Sequence, residues 1–542
     1  MVKFLFYVDN QFDFRPIIAL IMSVVAGISE SILILIINNA AQEVIHNNTL
    51  QAVSMLPYFF ISLIVLCFLK KLSLQLCLKL VEENLEIYRN RIANQLRHSS
   101  LLEMEQMDQG EIYTKLSIDT KKISRSSLSF IQIVQSFTTM FLIIIYMLRL
   151  SFLGGCLYIF FVAIGCLYYQ LHYHFLVSTI DEMTGKETEL FDEVGHIFDG
   201  FKELKLNTDK NEDFFHHYLA PLSKRVNRLR KRIGKQFVDI QSVRFVLFYI
   251  GLAAIILAFP EDYSVSIRFK IIVMSVFMNE PLSVFFLALP EIVASMVSID
   301  RLNNLEKKIS SRGQPSEYIS TSKQPDPVAM NHLQLKSVQF TYKINNDEPG
   351  FRIGPVSLDI HSGETIFLVG GNGSGKSTLL KVLTGLYPVT AGEIYLNGTT
   401  VDIAKYQYLF STVFSDCHLF DGMYGLKNID EKKIDELLHL MGIEKQVKWQ
   451  DHKFQYSGLS TGQKKRLALV YLMLEDAPIY ILDEWAAEQE PFFKKNFYTR
   501  LLPLFKKSGK TIIVATHDTR YFDIADQLIT MQDGKIVTKK RP

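Results

Sequence analysis

A glycine-rich stretch at residues 370–378 carries the strongest chemical signal in the chain. It fits the pattern G-x-x-x-x-G-K-[ST], follows the apolar run Thr365–Val369 and precedes a helix-compatible segment. Glycines let backbone N–H groups approach phosphate oxygens, and the start of a helix adds partial positive charge. The pattern predicts a nucleotide-phosphate loop in which Lys376 reaches the β- and γ-phosphates and Ser377 binds Mg²⁺. The residues expected to hold the nucleotide here are Gly370, Asn372, Gly373, Ser374, Gly375, Lys376, Ser377 and Thr378.

Acidic residues follow a second apolar run and supply groups that bind metal and activate water. The run Ile479–Leu482 is followed by Asp483 and Glu484. An Asp at the end of a buried strand can hold Mg²⁺, and the next carboxylate can deprotonate the attacking water. A third run, Thr511–Thr516, is followed by His517, which is suitably placed to contact a γ-phosphate. We therefore expect ATP hydrolysis, with Glu484 and His517 as catalytic residues and Asp483 as the second metal ligand.

A further motif lies between the first two, at residues 459–463, and ends 20 residues before Asp483. The sequence Leu-Ser-Thr-Gly-Gln resembles the LSGGQ signature of ABC-type ATPases, with Thr461 as the third residue. In that family the signature of one subunit completes the ATP site of the other, and an aromatic residue before the phosphate loop stacks on adenine. The resemblance implies four more nucleotide contacts, from Tyr342, Ser460, Gly462 and Gln463.

The sequence departs from the family pattern at Ser415. Most ABC ATPases have a Gln there, which helps to bind Mg²⁺ and transmits site occupancy to the membrane domain. A serine is shorter and reaches the metal only through water or a loop shift. We therefore do not count Ser415 among the metal ligands and keep a coupling role for its loop.

Six apolar segments before residue 300 approach the length of about 20 residues that a membrane-spanning helix needs. Stretches such as residues 141–146 have no polar face, which favours a membrane domain over a soluble helical core. Glu30 and Glu280 lie within the first and last segments, where a carboxylate faces either a cavity or a polar helix. The six segments are Pro16–Ile37, Met55–Leu69, Ile131–Leu148, Phe152–Tyr169, Phe245–Phe259 and Ile271–Val297.

Lys and Arg residues are concentrated in two long connections, after the second and the fourth apolar segments. The positive-inside rule then predicts that these connections and both termini are cytoplasmic. Both connections are compatible with helices that continue the spans into the cytosol, and each has a break, at residues 108–110 and 199–202. We expect a short transverse helix at each break.

A stretch rich in Ser, Pro and Gly at residues 310–327 separates the apolar part of the chain from the nucleotide motifs. We predict a transmembrane domain over residues 1–308, a linker over 309–331 and an ATP-binding domain over 332–542. The expected fold class is therefore a membrane α-helical domain with six transmembrane helices, similar to type I ABC exporters, fused to an α/β P-loop ATPase domain.

Composition excludes several other classes of protein. Of 542 residues, 48% are hydrophobic and 21% charged, which excludes a disordered or collagen-like chain. The net charge of +2 lacks the basic excess of a nucleic-acid binder, so we expect no nucleic-acid partner. The five cysteines form no CxxC pair, so neither a zinc site nor a disulfide framework is indicated.

The order of spans, cytoplasmic extensions, linker and ATPase resembles an ABC exporter half-transporter. The motifs, including Phe198–Asn207 and Asp483–Pro491, resemble the bacterial branch that exports cyclic peptides and peptide siderophores. The resemblance implies a homodimer in the bacterial inner membrane that contacts lipids, uses ATP and Mg²⁺, and exports an amphiphilic peptide-like product (cyclic peptide, microcin or peptide siderophore). Two alternatives stay open: a flippase for lipids or lipid-linked precursors, and an ATP-gated regulatory membrane protein.

Overall fold

The computed structural model describes residues 7–8, 11–12, 14–45, 47–107, 109–257, 264–312, 328–344, 348–426 and 430–541. The chain divides into two compact units. The first, here called the membrane unit, comprises Met1–Arg97 and Met107–Arg312. The second, the nucleotide unit, comprises His98–Gln106 and Gly313–Pro542. The domain boundaries at residues 308 and 332 stay a prediction, because most of the expected linker lies outside the described residues.

Six long apolar helices lie in the described part of the membrane unit, as predicted. They are α1 (Arg15–Ile45), α2 (Thr49–His98), α3 (Ile112–Leu150), α4 (Phe152–Asp199), α5 (Thr208–Leu257) and α6 (Val265–Ile309). The predicted fifth apolar segment lies in α5 up to Leu257, and its last residues, 258–259, are outside the described residues. Helix α2 has a turn at Met55, and α3 and α5 contain wider π-type turns at Lys115–Asp119 and Phe214–Leu219. A two-residue antiparallel pair, Tyr7–Val8 with Gln11–Phe12, precedes them.

Large apolar side chains on these helices face outward, while small polar side chains lie inside. Ser23 and Thr139 are fully buried between helices, a pattern typical of membrane bundles, where close packing and hydrogen bonds hold the helices together. Glu30 accepts hydrogen bonds from Gln135 Nε2 at 2.9 Å and Thr139 Oγ1 at 3.0 Å. The sequence left open whether Glu30 faces a cavity or a polar helix. These contacts support the polar helix, which is α3. Glu280 is exposed on α6.

A short helix lies near each predicted break in the long connections. Leu101–Glu105 begins with a capping box, in which Ser100 Oγ accepts from the Glu103 N–H and the Glu103 carboxylate accepts from the Ser100 N–H. This helix precedes the predicted break at 108–110, where Asp108 lies outside the described residues. The second, Phe201–Leu206, begins directly after Gly200, within the break predicted there.

Within its described residues, the nucleotide unit contains a six-stranded sheet and a four-stranded antiparallel sheet. The strands are β1 (His332–Ile344), β2 (Glu348–His361), β3 (Thr365–Val369), β4 (Ala391–Leu396), β5 (Thr399–Thr400), β6 (Phe410–Val413), β7 (Val447–Gln450), β8 (Lys453–Tyr456), β9 (Ile479–Asp483), β10 (Thr511–Ala515), β11 (Gln527–Gln532) and β12 (Lys535–Lys540). In the larger sheet the order is β12-β11-β3-β10-β9-β6, and only β12 is antiparallel to its neighbour. The smaller sheet has the order β2-β1-β4-β5, and β7 and β8 form a separate hairpin.

Helices cover the larger sheet and bury its strands on both faces. Ile366 and Leu368 of β3 belong to one apolar core, and Phe367 and Val369 to the other. Such doubly covered parallel strands read as continuous apolar runs, which is why the sequence identified them. The helices are α7 (Lys376–Leu383), α8 (Glu431–Leu440), α9 (Thr461–Glu475), α10 (Pro491–Asn496) and α11 (Leu502–Lys507), with 3₁₀ turns at Ile403–Leu409, Trp485–Glu488 and Thr519–Ile524.

Candidate active site

The three strands that precede the predicted catalytic motifs are neighbours in the larger sheet. Asp483 at the end of β9 lies opposite Ala515 of β10, and Ala515 lies opposite Leu368 of β3. Because all three strands are parallel, the segments that follow them emerge at the same edge. The phosphate loop, Glu484 and His517 therefore start from adjacent points.

Two glycines of the phosphate loop have backbone dihedral angles that residues with side chains rarely adopt. Gly370 has φ +155°, and a Cβ there would lie 2.3 Å from the carbonyl oxygen of Met531. Gly375 has φ +97° and immediately precedes helix α7. The loop thereby presents its backbone and the start of α7 on the same side as the strand ends, the geometry that binds phosphate.

A turn far along the chain holds the phosphate loop from behind. The N–H of Gly534 donates to the carbonyl oxygen of Ser374 at 3.0 Å, and its carbonyl accepts from the Gly354 N–H at 2.8 Å. A Cβ at Gly534 would lie 2.1 Å from the carbonyl oxygen of Arg352. Nothing in the sequence indicated that the β11–β12 turn contacts the phosphate loop, because the two segments are distant along the chain.

Lys376, Glu484 and His517 meet at the mouth of this loop. The buried Lys376 Nζ donates to the carbonyl oxygens of Gly370 at 3.0 Å and Gly371 at 3.1 Å. It also lies 3.2 Å from His517 Nε2 and 3.6 Å from Glu484 Oε1. His517 Nε2 is 3.0 Å from Glu484 Oε1. The structure thus brings together three side chains that are separated by up to 141 residues of sequence.

The backbone at Glu484 turns sharply out of the sheet. Its φ is +51°, an uncommon value for a residue with a side chain, and such strain concentrates at functional sites. The Glu484 N–H donates to Ala515 O at 3.1 Å, and its carbonyl accepts from Lys465 Nζ at 3.1 Å. Lys465 is buried and forms an ion pair with Glu488 at 3.4 Å. Sequence reasoning gave Lys465 no role, although its place on the apolar stripe of α9 was a usable signal.

Asp483 is a buried carboxylate whose oxygens have no hydrogen-bond partner among the described residues. Burial raises the pKa of its carboxyl group above the usual value, and the hydroxyl of nearby Ser377 opposes this shift. Burying a carboxylate without a partner is costly, and Mg²⁺ favours oxygen ligands. Ser374 Oγ is likewise buried without a partner in the described chain. The donor set therefore fits a magnesium ion at Asp483 and Ser377 and a phosphate group at the loop.

The signature residues form a separate local structure. Ser460 Oγ accepts from the Gln463 N–H, and Gln463 Oε1 accepts from the Ser460 N–H at 2.9 Å, so both side chains cap helix α9. A Cβ at Gly462 would lie 2.8 Å from Glu488 O, and its carbonyl accepts from Gln489 Nε2 at 3.0 Å. Over the described ranges, no hydrogen bond or ion pair joins these residues to the phosphate loop of their own chain.

Tyr342 connects to the short helix Leu101–Glu105 through a second tyrosine. Its hydroxyl donates to the Tyr387 hydroxyl at 3.1 Å, which in turn donates to the Glu105 carboxylate. Lys381 Nζ lies 2.8 Å from Glu105 Oε1. Burial alone would raise the pKa of Glu105, but hydrogen bonds from Lys381 and Tyr387 and the Lys381 charge together lower it. The candidate adenine-stacking residue is thus held from a helix that lies between α2 and α3 in sequence.

The remaining predicted residues lie in the same region of the nucleotide unit. Asn372 and Gly373 lie in the loop, and Thr378 lies in the first turn of α7. Ser415 lies two residues beyond β6, next to β9, and its side chain is exposed.

Comparison with known proteins identifies the family. A family model described as "ABC transporter" matches residues 353–487. Over 544 residues the chain is 31% identical to the ATP-binding protein SyrD of Pseudomonas syringae pv. syringae, with 96% of this chain and 93% of that protein covered. The chain belongs to the ABC transporter family. It is an exporter-type half-transporter with six apolar helices fused to an ATPase domain, and it couples ATP hydrolysis to transport, so both predictions are confirmed.

Other relatives of this ABC transporter match a smaller part of the chain. It is 33% identical over 230 residues to the ATP-dependent lipid A-core flippase of Vibrio vulnificus (strain CMCP6), covering 39% of this chain and 38% of that protein. It is 32% identical over 223 residues to the energy-coupling factor transporter ATP-binding protein EcfA1 of Mycoplasma genitalium, covering 38% and 77%. Membership of the family favours a pump over a nucleotide-gated regulatory protein.

Proposed function

We propose that two copies of this chain form an exporter that moves an amphiphilic, peptide-like product across the bacterial inner membrane. The main support for this proposal is that one loop brings together Lys376, Glu484 and His517, the side chains that ATP hydrolysis needs. The similarity to SyrD over nearly the whole chain extends the relationship to the membrane helices. The motifs that resemble the exporters of cyclic peptides and peptide siderophores indicate the class of cargo.

The side chains at the loop divide the work of hydrolysis. Lys376 exchanges its bonds to Gly370 and Gly371 for bonds to phosphate oxygens. Ser377 and Asp483 would hold the Mg²⁺ ion, whose charge stabilises the phosphate oxygens. Glu484 takes a proton from the attacking water as general base, and His517, 3.0 Å from it, lies where it can contact the γ-phosphate.

The signature residues act on the nucleotide of the second chain. Ser460 and Gly462 make no bond to their own phosphate loop within the described residues, and they lie at the start of α9, where backbone N–H groups and the helix dipole attract phosphate. In the proposed homodimer each ATP lies between Lys376 of one chain and the signature of its partner. Closure on ATP then favours an outward-facing membrane domain, and hydrolysis resets it.

The proposed orientation places both termini and the nucleotide unit in the cytoplasm. It rests on the Lys and Arg residues of the two long connections. The outward-facing apolar side chains of α1–α6 contact the membrane lipids. The domain limits 1–308, 309–331 and 332–542 are retained as part of this proposal.

A lipid or lipid-linked precursor is the second candidate cargo. The similarity to a lipid A-core flippase favours it, although that match covers less than half of either chain. Inside-out liposomes containing the purified protein separate the two. The proposal expects ATP-dependent uptake of a fluorescent amphiphilic peptide, none with Glu484→Gln, and no ATP-dependent translocation of a fluorescent lipid. Lipid translocation without peptide uptake would replace the proposal by the flippase.

A further inference from the structure

A buried arginine that forms no ion pair within the described residues lies on helix α5 of the membrane unit. Arg244 is 6% exposed. Its Nη1 donates to Asn279 Oδ1 at 2.7 Å, and its Nε donates to Gln241 Oε1 at 2.9 Å. No carboxylate of the described chain forms an ion pair with it, and Glu280, the residue after Asn279, is exposed. Two neutral amides thus orient the guanidinium group. Its central carbon lies 5.1 Å from the centre of the Phe245 ring, and the Glu280 carboxylate attracts its charge without bonding to it.

The groups beside Arg244 are hydrogen-bond donors that lack acceptors. The Tyr158 hydroxyl on α4 is buried, lines the same cavity as Arg244 and has no partner among the described residues. Gln241 Nε2 is also buried without a partner. Because Gln241 Oε1 accepts from the arginine, the nitrogen of that amide must be the free group. The two amide oxygens are already used by Arg244, so the Gln241 nitrogen and the Tyr158 hydroxyl are two donors without an acceptor in the described structure.

An apolar cavity between α4, α5 and α6 adjoins this cluster. Its wall includes Phe248 and Phe286, and glycines face it from two helices. A Cβ at Gly251 would lie 3.1 Å from the Phe161 ring, and one at Gly165 would lie 3.6 Å from Phe286. Side chains at these glycines would narrow the space. The cavity therefore combines an apolar wall with a single positive charge.

We propose that Arg244, Tyr158 and Gln241 bind the anionic group of the transported amphiphile, next to the apolar wall of the adjoining cavity. Ionisable residues inside membranes usually face a cavity or a charged partner, and a guanidinium fork matches the oxygens of a carboxylate or phosphate. This inference rests on the proposed export function and narrows the cargo to molecules with a negative charge. A peptide carboxylate and a lipid phosphate are the two sources of that chemistry.

Matched probes test the site on the full-length protein in nanodiscs. They are N-dodecanoyl-glycylglycine, its C-terminal amide and dodecyl phosphate, and binding is measured by the shift in thermal unfolding. For wild type, half-maximal stabilisation by the acid is expected at a concentration about tenfold below that of the amide. Arg244→Gln removes this difference and Arg244→Lys keeps part of it. Arg149→Gln, which removes an exposed arginine from α3, retains it.

Any one of three results overturns the site. The wild-type protein binds acid and amide equally well, or Arg244→Gln still prefers the acid. In the third, Arg244→Lys is folded but shows no preference for the acid. Arg244-dependent binding of dodecyl phosphate alone keeps the site and assigns it to a phosphate-bearing lipid. ATP-driven uptake of the acid into inside-out liposomes separates the two proposals. If binding depends on Arg244 but no peptide is taken up, the peptide-export proposal is contradicted and the anion site is kept. If peptide is taken up equally well by Arg244→Gln, the anion site is contradicted and peptide export is kept.

Discussion

At the scale of single residues, Asp483 and Glu484 are adjacent carboxylates in different surroundings. Asp483 ends a buried strand. Its oxygens accept no hydrogen bond of ordinary geometry in the described structure, although the Ser377 hydroxyl lies nearby. The backbone of Glu484 turns into a left-handed conformation and points its carboxylate at Lys376 and His517. One residue therefore suits a cation, and the next suits a water molecule at the phosphate.

Glu484→Gln tests this division. The amide keeps the size of the side chain but cannot accept a proton, so we expect ATP binding to be retained while turnover falls roughly 10²-fold or more. Phosphate release and binding of a fluorescent ATP analogue measure the two effects. Glu436→Gln, on the exposed face of α8, is the control and should hydrolyse ATP as wild type does. Hydrolysis at the wild-type rate in Glu484→Gln would exclude Glu484 as the base.

At the scale of elements, helix α9 positions the catalytic turn through Lys465. The helix carries a continuous apolar stripe, and Lys465 lies on it with Leu469 and Leu472, one and two turns further on. Its ammonium group bonds the carbonyl of Glu484, and Trp485 Nε1 donates to the Lys465 carbonyl at 2.7 Å. The signature helix and the catalytic turn are thus fixed to each other.

Lys465→Met removes the buried charge and keeps the length of the side chain. The Glu484 carbonyl and the Glu488 carboxylate lose their donor, so unfolding of the nucleotide unit should become easier by about 1–3 kcal/mol. ATPase activity should fall as well, because the catalytic turn loses its support. Chemical denaturation and phosphate release measure these changes. The matched control is Lys464→Met, whose side chain is exposed, and equal behaviour of the two variants would contradict this role.

The short helix Leu101–Glu105 is a second element whose contacts matter. The lowered pKa of Glu105 means that its stabilising contribution is present above the pKa of an unfolded glutamate. That contribution is lost as pH falls through the lower pKa of the folded protein. Glu105→Gln should therefore lower the unfolding temperature near pH 7, and the difference from wild type should shrink towards about pH 4. Glu444→Gln, an exposed variant, should show no such difference, and a pH-independent gap would contradict the ion pair.

The sequence was informative wherever local pattern and burial coincide. Strands β3, β9 and β10 are buried on both faces and read as apolar runs, and α1–α6 needed only length and hydropathy. The sequence predicts the first short helix at residues 108–110, a few residues after its observed position at Leu101–Glu105. Ser100 and Glu103, which form the capping box at its start, were a usable signal in the sequence. The Arg244 cluster and the Gly534 turn could not be predicted, because each joins segments that only the folded chain brings together.

At the scale of the whole molecule, each ATP site of the proposed homodimer needs two chains. Lys376→Ala damages the phosphate loop, and Ser460→Arg damages the signature. Each variant alone should be inactive, whereas a mixed dimer keeps one intact pair. Random pairing of the two should restore about a quarter of wild-type ATPase activity, since about half of the dimers are mixed and each has one of two sites.

The control for this experiment is a chain with both substitutions produced together with Lys376→Ala, which has no intact phosphate loop. Phosphate release after co-production and purification is the measurement. Activity in the mixture alone supports sites shared between chains. A mixture as inactive as its parents would show that the signature does not act across the dimer.

The turn at Gly534 has a consequence for reading genomes. Its N–H supports the phosphate loop at Ser374, and it follows every recognisable motif in the chain. An allele with a stop codon after Gln532 would retain all those motifs. A sequence search based on the motifs would therefore still identify it as an intact transporter gene. Its product would lack strand β12 and the donor behind the loop, so such an allele should be counted as a null when strains are compared.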